Sequence, residues 1–493
     1  MTAKNVNPFS DASVTASRVP VLWLVAAALS GCAAQPSTPT EWLDTQVPAR
    51  WTVLVAQPVA SESGVVLAQW WQRFNDPLLT TLVAQALQSN TDVRSARAAL
   101  QQSRALQDGK AAGLGPNINA SVSAQRNRSG GNDATDAFQA GFDASWEPDV
   151  FGGQRSAVHA LEADAQAAQA SLAQMQVSMA AEVAVTYIDL RGLQARLAIA
   201  RTNLAAQTET LQIARWRAQA GLASSLDVEQ AVAASEQTGA QIPSLVTSLA
   251  QDFSSLAVLT GQLQAGLQSS LSTDAARVGV VPQANANLAV AFPAQTLRQR
   301  PDVRAAEYRI SAALARVVQA DAARYPSFQI SGSLGLRALS LGALTNGASV
   351  AQALLAGISV PLFDGGAARA QVRAQEAAME QARLAYQATV LRALKDVEDA
   401  LVSIQGNTER LTRLQAASSA AANADLLARQ RYSSGLIDFR AVLDTQRTLL
   451  STQDAVASTR ASLSADHVRL YKALGGGWAP EAEALAPQTT LTP

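Results

Sequence analysis

The feature that most constrains this chain is that it repeats itself. Asp92-Val93-Arg94 returns as Asp302-Val303-Arg304, and Pro116 returns as Pro326, both shifted by 210 positions. Further along, Arg215, Arg217 and Gly221 return as Arg429, Arg431 and Gly435, and Gly261 as Gly475, all shifted by 214. Phe151-Gly152-Gly153 is echoed by Phe363-Asp364-Gly365-Gly366. The order of these features is the same in both halves, which chance does not produce. Internal repetition on this scale means two copies of one supersecondary unit. The copies are read at 70–265 and 280–479, with a linker at 266–279 and a tail at 480–493.

Each copy holds two patterns. The first is strict alternation. Ile118, Ala120, Val122 and Ala124 alternate with Asn119, Ser121, Ser123 and Gln125. Phe138, Ala140, Phe142, Ala144 and Trp146 alternate with Gln139, Gly141, Asp143 and Ser145. The second copy alternates from Phe328 to Ala338, and again, more noisily, from Val350 to Val360. A period of two predicts strands with one apolar and one polar face. They are expected at about 117–127, 136–147, 327–338 and 349–361. Their length matches membrane β-strands. Soluble hairpins packed on helices are the plainer alternative.

The second pattern is long helix. No proline lies between Pro148 and Pro243, or between Pro361 and Pro480, and Ala, Gln, Glu, Arg and Leu fill these stretches. Residues 154–219 read as one helix of about 100 Å. Gly221 and Gly435 break the pattern at equivalent places and predict helix stops followed by reversals. Ser224 or Ser225 is positioned to cap the next helix. Small apolar residues predominate, so neighbouring helices are expected to approach closely along coiled-coil-like seams.

Four membrane strands cannot close a barrel, and an open edge leaves backbone groups unsatisfied in lipid. Several copies must therefore contribute, and three give twelve strands. No run of about 18 apolar residues is seen, so no membrane-spanning helix is expected in the mature chain.

The N-terminus carries an address. Residues 19–29 form an apolar run that ends in Leu29-Ser30-Gly31-Cys32. Small residues before the chain's single cysteine form a lipobox, as in a bacterial lipoprotein signal. Residues 1–31 are the expected signal and Cys32 the expected lipidation site. A buried free cysteine is the plainer alternative. Residues 32–69 begin with a proline-containing tether.

Other classes are disfavoured. One cysteine rules out an intramolecular disulfide and a Cys-rich zinc site, and the two histidines are far apart in sequence. A net charge of −1 argues against a nucleic-acid binder. No phosphate loop, nucleophile elbow or His-Glu-x-x-His motif occurs, so no catalytic residue, metal or cofactor is expected. Pairs such as Glu398-Asp399 sit inside helical pattern and read as solvated faces.

Three segments carry a resemblance. They are Trp70-Trp71-Gln72-Arg73-Phe74-Asn75-Asp76-Pro77-Leu78-Leu79, Arg300-Pro301-Asp302-Val303-Arg304-Ala305-Ala306-Glu307 and Leu470-Tyr471-Lys472-Ala473-Leu474-Gly475-Gly476-Gly477-Trp478. Together they resemble outer-membrane efflux channels of the TolC/OprM type, in the lipoprotein (NodT-like) subgroup, over essentially the whole mature chain.

The resemblance implies a mainly helical fold with a membrane β-barrel portion. It implies a homotrimer in the Gram-negative outer membrane, with a twelve-stranded barrel continued by a twelve-helix periplasmic tunnel. It further implies an equatorial domain, contact with outer-membrane lipid, a periplasmic adaptor and an inner-membrane pump of the resistance-nodulation-division class. The implied function is passive small-molecule export within a tripartite efflux system. The alternatives are the duct of a type I protein secretion system and a periplasmic adaptor or structural coiled-coil lipoprotein.

By the same resemblance, the turns around Gly221, Ser224 and Asp227 and around Gly435 and Leu436 are adaptor contacts. Tyr432, Asp438, Arg440, Asp444 and Arg447 form a periplasmic gate. Asp444 and Arg447 share one helix face. Threefold symmetry would make Asp438 and Asp444 into carboxylate rings. Arg440 departs from the leucine often found at the family's constriction, so Val442 or Leu443 is expected to supply the apolar part.

Overall fold

The computed structural model describes residue 51, residues 68–267 except 129, 131 and 132, residues 277–284, residue 297 and residues 300–477. All of these belong to one compact unit, Val47–Pro493. The signal segment, Cys32, the tether and the tail lie outside the described residues.

A 3-10 turn, Trp70–Phe74, leads into α1 (Pro77–Ser89) and α2 (Thr91–Ala112). Strands β1 (Asn117–Asn127) and β2 (Thr135–Trp146) follow, then α3 (Gly153–Gln219) and α4 (Ser225–Thr260). The second copy is α5 (Pro301–Ala322), β3 (Ser327–Ala338), β4 (Val350–Ser359), α6 (Ala367–Ser433) and α7 (Phe439–Ala473).

The helices begin where side chains satisfy free amides. Asp76 caps α1 by accepting from Leu78 N at 3.0 Å and Leu79 N at 3.1 Å, with Pro77 in the first turn. Asn90 caps α2. Asp149 accepts from Gln154 N and Arg155 N at the head of α3, and Asp364 accepts from Gly366 N and Ala368 N at the head of α6.

The four strands form one antiparallel sheet in the order β1-β2-β3-β4. Register keeps the two faces separate. Ala120 faces Phe142 and Phe142 faces Leu334, while Asn119 faces Asp143 and Asp143 faces Ser333. The apolar face is bare: Val122, Phe142, Leu334 and Leu354 are exposed. β4 departs from clean alternation, with Gln352 beside Leu334 and Leu355 beside Ser331.

α3 and α6 have 67 residues each, about 100 Å at 1.5 Å per residue. α3 is the spine, packing against α2, α4, α5 and α7, while α6 packs on α5 and α7. Its buried Ala160, Ala163, Ala167, Ala170, Ala173, Val177, Ala180 and Ala184 recur three or four positions apart, a coiled-coil seam.

α4 runs straight through the exposed Pro243, although proline removes a helical hydrogen bond. α4 also holds an 18-residue window of mean hydropathy 1.2, enough to cross a membrane by length and composition alone. Length and composition alone do not make it a membrane span. Along this helix Leu245, Phe253 and Leu256 are buried, while Val246 and Val258 remain exposed.

The main core holds Trp70, Trp71, Phe74, Leu79 and Tyr471 of the first and third resemblance segments, while Val303 and Ala306 of the second pack in a separate cluster with Tyr386 and Val390. The rings of Trp70 and Tyr471 stack at 5.2 Å, and Arg300 Nη1 donates to Ala473 O at 2.8 Å. Tyr187 donates its hydroxyl to Asp76 Oδ2 at 3.0 Å and receives Arg191 Nε at 3.0 Å. Burial pushes the Tyr187 hydroxyl up to about 12, so it remains a donor at any physiological pH.

Candidate gate and docking tip

The two helix reversals are copies of one motif. At the end of α3, Gly221 has φ 71°, and Leu222 N donates to Arg217 O at 2.8 Å. At the end of α6, Gly435 has φ 72°, and Leu436 N donates to Arg431 O at 2.9 Å. This left-handed residue satisfies the last free carbonyls of each helix, and glycine adopts it without penalty.

The following helices are capped by equivalent positions holding different residues. Ser224 caps α4 in a capping box: Asp227 N donates to Ser224 Oγ at 3.2 Å, and Ser224 N donates to Asp227 Oδ2 at 2.9 Å. Asp438 caps α7 by accepting from Ala441 N at 3.0 Å. Leu222, Leu226 and Leu436 stand exposed on these turns.

Packing brings the turns together. Phe439 and Leu443 join Leu211, Ala214 and Ala231 in a small apolar cluster, with Tyr432 and Val228 at its margin. The Tyr432 and Phe439 rings lie 5.3 Å apart. Arg217 sits over the Tyr432 ring at 4.5 Å, and its Nη1 donates to Tyr432 O at 3.2 Å. Burial raises the Tyr432 hydroxyl pKa, the nearby Asp227 raises it further and Arg217 opposes both.

Above the cluster the α3–α7 seam turns polar. Gln446 Nε2 donates to Thr210 Oγ1 at 2.9 Å, Asn203 Nδ2 donates to Gln453 Oε1 at 2.9 Å, and Arg196 makes a bidentate pair with Asp454 at 2.7 and 3.2 Å.

The other residues expected at the gate form an exposed face of α7. Arg440 Nε lies 3.9 Å from Asp444 Oδ2, and Arg447 Nη1 lies 3.6 Å from Asp444 Oδ1. All three are solvated, so these pairs contribute little to stability. Asp438 is exposed but engaged as a cap. The expectation that Val442 or Leu443 lines the constriction is overturned: they are 1% and 8% exposed and packed inside the chain. Phe439, Val442, Leu443, Gln446 and Leu450 form the inward stripe, so Arg440, Asp444 and Arg447 hold the outward one. Sequence reading also missed Arg217. Its recurrence as Arg431 was visible, but not that it reaches Tyr432 of the other repeat.

Among the described residues, no group of three or more His, Cys, Asp or Glu side chains is placed to hold a metal ion. What the arrangement offers is a packed hairpin tip, two solvent-facing turns and a charged helix face.

A sheet with a bare apolar face, joined to helices about 100 Å long that reverse at paired glycine turns, defines an outer-membrane channel. The chain belongs to the outer membrane efflux protein family, whose profile matches residues 82–262 and 292–476. It is 31% identical over 468 residues to the probable efflux pump outer membrane protein SepC of Pseudomonas putida, covering 92% of this chain and 95% of that one. It is 31% identical over 472 residues to the pyoverdine export outer membrane protein OpmQ of Pseudomonas aeruginosa, covering 93% and 96%. Among solved structures, the outer-membrane channel OprN superposes with TM-score 0.79 at 33% identity, covering 89% of this chain and 99% of that one. The open state of the Neisseria gonorrhoeae MtrE channel gives TM-score 0.74 at 25% identity, covering 87% and 98%. The fold is that of the TolC/OprM-type channels, and the protein is an efflux channel of the outer membrane.

Proposed function

We propose that three copies of this chain form a closed, passive duct, which exports small molecules when joined to a periplasmic adaptor and an inner-membrane pump of the resistance-nodulation-division class. The observation that carries the trimer is a pair of complementary free edges. Among the described residues β1 and β4 each have one strand neighbour, and a membrane sheet must close. α6 flanks one side with exposed Leu384, Leu391, Val402, Leu426 and Leu427; α2 and α4 flank the other with Leu106, Val246 and Val258. Pairing one edge with the next copy's opposite edge covers both sets of apolar side chains. Three copies bring the sheet to twelve strands.

Energy for transport comes from the pump, and the chain itself carries no catalytic role. Relatives are named for toluene and pyoverdine export; this duct takes the cargo its pump delivers. Acylation at Cys32 anchors the mature chain to the outer membrane. Leu222, Leu226 and Leu436 form the adaptor contact, together with the turns at Gly221, Ser224, Asp227 and Gly435. Tyr432, Asp438, Arg440, Asp444 and Arg447 form the resting closure.

Native mass measurement of the detergent-extracted protein tests the assembly, and planar-bilayer recording tests the duct. Three chains and discrete conductance steps are expected. A stable monomer that needs no detergent would end this reading. Palmitate labelling tests the anchor: Cys32→Ser is expected to abolish it, and undiminished labelling would refute acylation there.

A further inference from the structure

The polar face of the sheet is not uniform. On β2 and β3 the register runs Asp143 opposite Ser333, then Gly141 opposite Gly335, then Gln139 opposite Arg337. At the middle step the backbones approach so closely that a Cβ on Gly141 would lie 2.7 Å from Gly335 Cα. A Cβ on Gly335 would lie 2.6 Å from Ala140 O. No side chain can stand there. Beside the glycines, β4 presents only Ala351 and Ala353 on the same face. The result is a cavity of about 190 Å³ on the polar side of the sheet.

Its two ends carry opposite charge. Asp143 stands on the side nearer the helices, held by the Ser121 hydroxyl, which donates to Asp143 Oδ2 at 2.8 Å. Arg337 stands on the hairpin side and makes no ion pair among the described residues. Four residue levels separate them, about 13 Å along the strands. In a barrel whose apolar face meets lipid, this face is the lumen.

We propose that this niche is a cargo-holding site in the barrel lumen for extended zwitterions, with the cationic group toward Asp143 and the acidic group toward Arg337. The small floor admits the body of such a solute against the wall. The charge order sets its direction, ammonium toward the periplasmic side. Three copies would place three such sites at one level of the duct. The inference rests on the duct reading above.

The test is single-channel recording of wild-type trimers with three eight-carbon probes: 8-aminooctanoate, 1,8-diaminooctane and suberate. 8-Aminooctanoate is expected to reduce the current at a lower concentration than either symmetric probe. Asp143→Asn and Arg337→Gln should each weaken that block roughly fivefold, the size of one screened charge contact. In a salt gradient, Arg337→Gln should shift the reversal potential toward cations and Asp143→Asn toward anions. Ala353→Leu, which fills the floor while keeping both charges, should weaken the zwitterion's block without moving the reversal potential. Equal block by all three probes, or block indifferent to both charge substitutions in conducting trimers, overturns the niche alone. A wild type that forms no channel overturns the duct and the niche with it.

Discussion

The guanidinium of Arg217, at the end of α3, lies 4.5 Å from the centre of the Tyr432 ring, at the end of α6. One repeat thus clasps the other at the turn where both helices reverse. The contact has two parts, a cation over a ring and a hydrogen bond to the Tyr432 carbonyl. Together they are worth about 1–2 kcal/mol.

The first prediction follows from that split. Arg217→Met removes both parts and should raise the open-to-closed ratio of the resting duct roughly tenfold. Tyr432→Phe keeps the ring and the carbonyl, so it should stay within about twofold of wild type. The raised Tyr432 pKa fixes the pH behaviour. A group whose folded pKa is raised contributes fully below its unfolded value, here 10.0, so the clasp is insensitive to tyrosine ionisation at neutral pH. Single-channel dwell times measure all of this. Unchanged dwell times in intact Arg217→Met trimers would locate the closure elsewhere.

A second prediction concerns the turns. A Cβ at Gly221 or Gly435 meets no atom within 4 Å, so substitution there is resisted only by the positive φ. That strain is about 1 kcal/mol, which an assembly of this size tolerates. Gly435→Glu should therefore leave the trimer intact while placing a charge beside the exposed Leu436 and blocking adaptor docking. Drug susceptibility of cells reports the loss, and native mass reports the trimer. Full resistance in such cells would count against the tip as the docking site.

Arg300 offers a third. It is 6% exposed and donates to Asp302, Asp396 and the Ala473 carbonyl at 2.7 to 3.2 Å. Arg300→Met strands a buried carbonyl and loosens two carboxylates, a cost of about 2–4 kcal/mol. The denaturation midpoint should drop accordingly, and Arg300→Lys should recover only part of it, since an ammonium cannot make the bidentate pair. A wild-type midpoint for Arg300→Met would show that this junction is not holding α5 to α7.

The sequence was most readable where a local rule decides the outcome. Alternation at Ile118–Gln125 and Phe138–Trp146 reflects a sheet with two unlike faces, so one period reveals both. Gly221 and Gly435 announce turns because only a left-handed residue closes those helices. The capping choice between Ser224 and Ser225 was open in the sequence, and the hydrogen bonds with Asp227 favour Ser224. Long-range packing was less readable. Val442 and Leu443 look like lumen candidates beside Asp444, yet the helical stripe from Phe439 to Leu450 turns them inward. Arg217 and Tyr432 are separated by more than 200 residues, and no periodicity links them. The stack of Trp70 on Tyr471 is hidden for the same reason, although both residues lie in segments that carry the family resemblance.

The last prediction is a pH effect on stability. Burial, with the like charge of Asp189, raises the Asp252 carboxyl from 3.8 to about 6, and Asp252 Oδ2 has no hydrogen-bond partner. The sign follows from proton uptake. The folded state binds this proton more tightly than the unfolded state does. Its contribution is therefore fully present below pH 3.8 and is lost as pH rises through about 6. At neutral pH the ionised carboxylate is a burden on the fold. Asp252→Asn removes the charge and retains the shape, so it should stabilise the protein at pH 7 by about 1 kcal/mol after allowance for screening at a half-buried site. The gain should shrink as pH falls from 6 toward 4, where the wild-type carboxyl is itself protonated. Thermal midpoints of both proteins across pH 4 to 8 make the comparison. A constant difference at every pH, or a variant less stable than wild type at pH 7, would mean that the Asp252 charge is compensated in the assembled channel.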